Sequence, residues 1–158
     1  MSRARVVALV ALSLAIGQVA AQEHVVMAPG DIKWGDAPPA LPPGGKMAVL
    51  YGDPSKPGLF IIRLRTPAHY TVPPHSHTND EAVTVISGSA LFGLGDKFDK
   101  KSMHAVTPGS FVLAPAKHNH FVTTKTATIV EIAANGPFDI TYVNPADDPR
   151  NKPAATKK

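Results

Sequence analysis

The sequence predicts an all-β fold, a single-domain antiparallel jelly-roll β-barrel with an extended N-terminal arm, and three observations carry that prediction. From residue 47 onward the chain is a series of short runs rich in β-branched and aromatic residues, separated by glycine, proline, aspartate and serine turns. No segment keeps a helical period long enough to cross between parallel strands, which leaves an antiparallel sandwich or barrel. Proline is abundant, 16 of 158 residues, and its positions mark the joints between segments.

The first segment is a leader. Arg3 and Arg5 precede an apolar run over residues 6–16, and Val19-Ala20-Ala21 stands before Gln22. A basic start, an apolar stretch and small residues at a cleavage point describe a secretory signal peptide over residues 1–21. The run is too short for a bilayer core that takes about 20 residues, and a chain without cysteine cannot carry a lipoprotein's lipid. The expected destination is the periplasm or the medium, with no membrane contact in the mature form.

Residues 22–46 are expected to form an extended arm, because Pro38-Pro39-Ala40-Leu41-Pro42-Pro43-Gly44-Gly45 can be neither helix nor central strand. Trp34 is expected to pin that arm to the barrel. The barrel itself is placed at residues 47–144, with strands over 47–51, 59–65, 82–86, 90–94, 110–114, 121–124, 128–133 and 140–143. Residues 95–104 break the pattern and have room for one helical turn. The polar, proline-punctuated stretch 145–158 reads as a flexible C-terminal tail. No internal repeat is visible, so a duplicated barrel is not expected.

Composition narrows the function. The formal charge of +4 falls by two once Arg3 and Arg5 are removed. The remaining lysines form no stripe with aromatics, so nucleic acid is not an expected partner. Without cysteine there is no disulfide framework and no thiolate ligand. Any metal site must use histidine and carboxylate.

Such residues are concentrated in two places. The segment Pro73-Pro74-His75-Ser76-His77 leads to Glu81 and Gly88 with the spacing His-x-His-x3-Glu-x6-Gly, and downstream Gly109, Pro115 and His120 follow as Gly-x5-Pro-x4-His. In an unbulged strand His75, His77 and Glu81 share one face, which Val83 and Val85 continue as an apolar wall. Imidazole and carboxylate donors suit one divalent transition metal, iron, manganese, zinc, nickel or copper, and a set of four leaves one or two positions for water or substrate. Spacing alone admits either His118 or His120 as the third imidazole. His24, His69 and His104 lie outside both patterns and read as solvated or structural.

The two spacings together resemble the motifs of the cupin superfamily, in particular small exported single-domain, RmlC-like members. Asp31-Ile32-Lys33-Trp34 in the arm and the Gly95-Asp96-Lys97-Phe98-Asp99 insertion are similar to that group as well. The resemblance implies two facing hairpins of a small barrel with His75, His77, Glu81 and His120 as metal ligands, and it leaves His118 in a turn. It departs at His69 and Lys117, where the motifs usually carry glycine. It also implies a metal-dependent enzyme acting on a small organic substrate, of oxygenase or of isomerase or lyase type. The alternative is a non-catalytic metal or small-ligand binding or sensor protein. A homodimer is the expected assembly, since exposed sheet edges need cover.

Glu131 is the remaining carboxylate of interest, set in the apolar stretch Thr128-Ile129-Val130-Glu131-Ile132. A charge there needs a partner or a task, so an inward Glu131 is expected as the catalytic acid or base, and an outward one would favour a binding protein. Phe92, Phe111, Phe121 and Phe138 are expected in the core and the pocket wall.

Overall fold

The structure is a computed structural model and describes residues 24–152. The expected signal peptide and the last residues of the tail lie outside them. Among the described residues no helix is long and apolar enough to cross a membrane.

Eleven strands in chain order build the domain: β1 (Gly35–Asp36), β2 (Lys46–Tyr51), β3 (Gly58–Thr66), β4 (Thr71–Ser76), β5 (Glu81–Ser87), β6 (Ala90–Leu94), β7 (His104–Val106), β8 (Phe111–Ala114), β9 (His120–Thr124), β10 (Thr128–Gly136) and β11 (Thr141–Tyr142). They form two sheets, of order β1-β2-β3-β10-β5-β8 and β11-β4-β9-β6-β7. Every pairing is antiparallel. The all-β, jelly-roll expectation holds, with one refinement: the strands make two facing sheets, without ladder bonds closing them into one continuous barrel. Among the described residues only 3₁₀ turns interrupt the β pattern. One, Lys100–Ser102, is capped by the Asp99 side chain and lies in the insertion where a helical turn was expected.

Alternation along the strands explains where the core sits. In β3 the inward residues Phe60, Ile62 and Leu64 are buried, and Ile132 and Ala134 of β10 join them. Across the interior lie Tyr70, Val72 and Tyr142. The arm closes over this interior. Gly35 and Asp36 pair with β2, Arg65 stacks over Trp34 at 4.6 Å, and the Tyr70 and Tyr142 hydroxyls donate to the Pro42 and Ala40 carbonyls. Beyond β11 the chain makes two more 3₁₀ turns, Pro145–Asp147 and Pro149–Asn151. Arg150 there donates to the Ile140 carbonyl at 3.2 Å.

Two expectations about side chains are corrected. Phe111 is 64% exposed, because it lies opposite Thr84 on the outer face of edge strand β8; Phe92, Phe121 and Phe138 do face inward or pack. The parity argument for His75 and His77 also needed an unbroken strand, whereas β4 ends at Ser76 and carries a bulge. Val72 faces Val122 and His75 faces His120, so three residues on β4 span two on β9. The extra residue falls at Pro73-Pro74, where no N–H is available for the ladder. The bulge lets both Val72 and His75 point inward.

His69 and Lys117, which replace the usual glycines, adopt left-handed backbone with φ of 61° and 63°. That conformation costs a side-chain-bearing residue about 1–2 kcal/mol. Replacing both with glycine is expected to raise the melting temperature modestly, since the larger chain entropy of glycine offsets part of the relief. A lower melting temperature would show that the two side chains contribute more than the backbone strain costs.

Candidate metal centre

Two hairpins deliver the donors. β4 supplies His75 and the turn after it His77, β5 opens with Glu81, and β9 opens with His120 directly opposite His75. All four are buried, at 5%, 5%, 7% and 3% exposure in that order. One ring nitrogen from each of His75, His77 and His120 lies within 4.8 Å of the other two. A Glu81 carboxylate oxygen approaches Nε2 of His120 at 3.4 Å and Nε2 of His77 at 3.6 Å. His118, the competing candidate, is exposed in the turn after β8.

The backbone fixes which nitrogen points at the centre. Nδ1 of His75 lies 2.7 Å from the Pro73 carbonyl, Nδ1 of His77 is 2.5 Å from the Asp139 carbonyl, and Nδ1 of His120 is 3.1 Å from the His118 carbonyl. A carbonyl only accepts, so each Nδ1 carries the proton and donates it. Each Nε2 is then a bare lone pair aimed inward. Such outer bonds to ligating histidines set ring orientation and basicity in metal sites. His77 Nε2 is fully buried without any hydrogen-bond partner, an arrangement that costs about 1–3 kcal/mol if nothing binds there. Acceptor lone pairs facing a carboxylate at 3.4–3.6 Å repel each other unless a proton or a metal ion lies between them. The donor set therefore fits a metal ion.

Electrostatics keep the donors in binding form. Burial, followed by the neighbouring His120 and His77, pushes His75 down to about 3, so its imidazole stays neutral. Burial opposes ionisation of Glu81, but its contacts with the surrounding imidazoles outweigh it and hold its carboxyl below the ordinary value. Aromatic rings brace the imidazoles. Phe138 stacks on His77 at 4.6 Å and Phe92 on His120 at 5.5 Å, while Tyr142 lies against His75 at 5.8 Å.

The four donors occupy one end of a cavity of about 190 Å³ lined by both sheets and by Pro38, Ala40 and Leu41 of the arm. Asp139, which the sequence did not single out, tightens its rim. Its carboxylate accepts from the backbone N–H and the hydroxyl of Thr78 at 2.8 and 2.6 Å, while its carbonyl holds His77. An acidic residue 62 positions from the histidine it holds gives no local signal of that role.

Glu131 does not reach the cavity, and its expected catalytic role is withdrawn. It lies opposite Arg63 in the β3–β10 register and accepts from Arg63 Nε and Nη2 at 2.9 Å each. The residues of β10 that line the cavity are its neighbours Val130 and Ile132. The charge has a partner on the outer face of the sheet. Glu131→Gln is accordingly expected to leave metal content unchanged and to cost about 1 kcal/mol of stability, as for an ion pair near the surface. Elemental analysis and a denaturant melt check both halves.

Two facing antiparallel sheets around a buried cluster of three histidines and a carboxylate are the double-stranded fold of RmlC-like cupins. Solved structures agree on the fold. The polyketide cyclase RemF from Streptomyces resistomycificus superposes with a TM-score of 0.63 at 18% identity, covering 80% of this chain and 90% of that one. An RmlC-like cupin from Shewanella frigidimarina gives 0.56 at 16% identity over 72% and 91%. KdgF from Halomonas sp. gives 0.55 at 16% identity over 72% and 93%. The chain belongs to the family described as Domain of unknown function (DUF4437), whose model matches residues 17–141. No curated protein matches it.

Proposed function

We propose that the protein binds one divalent transition metal through His75, His77, Glu81 and His120 and acts with it on a small organic molecule held in the adjoining cavity. One observation carries this reading: three buried imidazoles commit Nδ1 to backbone carbonyls, and His77 Nε2 is left buried without a partner. A bound ion supplies Lewis acidity or, for iron or copper, redox chemistry. The chain's own part is to orient and shield. The sheets and the arm exclude bulk water, the aromatic rings hold the imidazoles, and Glu81 directs its carboxylate into the centre. Superfamily members host varied chemistries on this fold, the polyketide cyclase among those similar to this chain, so the reaction is argued from the site.

A second reading, a metal or small-ligand binding protein without turnover, is favoured by the outward Glu131. With it gone, among the described residues no acid or base apart from the donor set and the Thr78-bound Asp139 lines the cavity. Elemental analysis of protein purified from its own compartment tests the shared part of both readings, with one equivalent of a single metal expected and trace mixed metals opposing it. Turnover in the metal-loaded protein separates the two. Export remains part of the proposal, and the intact mass of exported protein is expected to begin near Gln22; retention of residues 1–21 on soluble exported protein would oppose it.

A further inference from the structure

We infer that the molecule this site takes is small and largely hydrocarbon, with a single anionic oxygen-donor head directed at the metal end, and that sugars, polyols and phosphate esters are excluded. The inference rests on the metal-binding reading and specifies its substrate class.

The wall of the cavity carries the argument. Its polar side chains, His75, His77, Glu81 and His120, are gathered at one end, and the Asp139 carboxylate at the rim is already engaged by Thr78. The rest of the chamber is carbon, with Leu64, Val130 and Ile132 from one sheet facing Val72, Phe92 and Val122 from the other. Among the described residues no lysine, arginine, serine, threonine, asparagine or glutamine lines it. A hydroxyl carried into such a chamber loses its water and gains no partner, which weakens binding about 10- to 100-fold per group. A polyhydroxylated body therefore pays that penalty several times over, and a phosphate finds no lysine or arginine beside the metal to receive its second charge.

Charge and size sharpen the class. Three neutral imidazoles and one carboxylate leave a divalent ion with one uncompensated positive charge at the head of an apolar chamber. A monoanionic head cancels that charge, whereas a dianion overshoots it. An engineered apolar cavity of about 150 Å³ accepts benzene, so about 190 Å³ suits a body of roughly six to eight carbons.

Three hydroxamates with one common head test this on the full-length, zinc-loaded protein, with metal content measured first and affinities read by calorimetry. Acetohydroxamate presents the head alone, benzohydroxamate adds an apolar ring, and gluconohydroxamate adds a polyol. The expected order is benzohydroxamate at least 10-fold tighter than acetohydroxamate, and gluconohydroxamate at least 10-fold weaker. Val130→Phe, which fills the chamber, is expected to keep zinc and acetohydroxamate while erasing the advantage of the ring; the wild-type series decides the matter even if that variant does not fold. Zinc bound with equal affinity for all three, or a preference for the polyol, overturns this inference and leaves the metal reading standing. A protein that takes up no zinc overturns both.

Discussion

Replacing His75 and His120 together with alanine abolishes metal binding, lowering affinity by well over 100-fold, while the two-sheet fold survives. Loss of a hydrogen bond that merely orients a ligating histidine costs about 10- to 100-fold in affinity, and here two of four direct donors go. The two residues face each other across β4 and β9, so the variant removes one wall of the centre and leaves a carboxylate and a single imidazole. Backbone pairing of these strands does not depend on the side chains, although two buried rings are lost and the apo form melts lower. Dialysed protein analysed for metal checks the result, with circular dichroism confirming the fold. Metal content equal to wild type in a folded double variant would place the ion elsewhere.

The second large effect is on stability. At neutral pH the metal-loaded protein is expected to melt on the order of 10 °C above the chelator-treated form. A ligand present at 1,000 times its dissociation constant adds about 4 kcal/mol, and in a domain of this size each kcal/mol moves the midpoint by a few degrees. The gap shrinks in acid, because protons compete with the ion for imidazole nitrogens whose unperturbed pKa is about 6.5. The apo form loses stability over the same range. His75 is held down to about 3 in the folded state and titrates near 6.5 when unfolded. Above about 6.5 it is neutral in both states and contributes no pH dependence. Between about 6.5 and about 3 the unfolded chain binds a proton that the folded chain refuses, so stability falls as pH falls, by up to about 1.4 kcal/mol per unit. Glu81, with its carboxyl held below the ordinary value, adds a loss of the same sign at more acidic pH. Melting curves with and without chelator from pH 8 to 5 check this. Coincident curves at neutral pH would oppose a metal that matters to the fold.

Much of the site was legible because its donors sit in two gapless local patterns that fold as adjacent hairpins. The spacing from His75 to Gly88 forces a turn and a new strand, and Gly88 at φ 82° leaves no room for a Cβ against the Ala127 carbonyl. What escaped the sequence depended on partners distant in the chain or on the backbone. β4 was hidden by Pro73-Pro74, which argue against a strand until a bulge absorbs them. Glu131 was ambiguous because both faces of β10 carry apolar residues, Ile129 and Ala133 outward, Val130 and Ile132 inward. Only the register against Arg63 resolves the direction. The carbonyls that orient the three imidazoles belong to Pro73, Asp139 and His118, and no side-chain pattern announces a backbone acceptor.

The most direct test of the central claim is anomalous diffraction from a crystal of the metal-loaded protein, recorded on either side of the metal's absorption edge. The account predicts one peak enclosed by Nε2 of His75, His77 and His120 and a carboxylate oxygen of Glu81, at about 2.0–2.3 Å from each. Full metal content in solution with no peak among these four residues, or with the peak on other side chains, would contradict it.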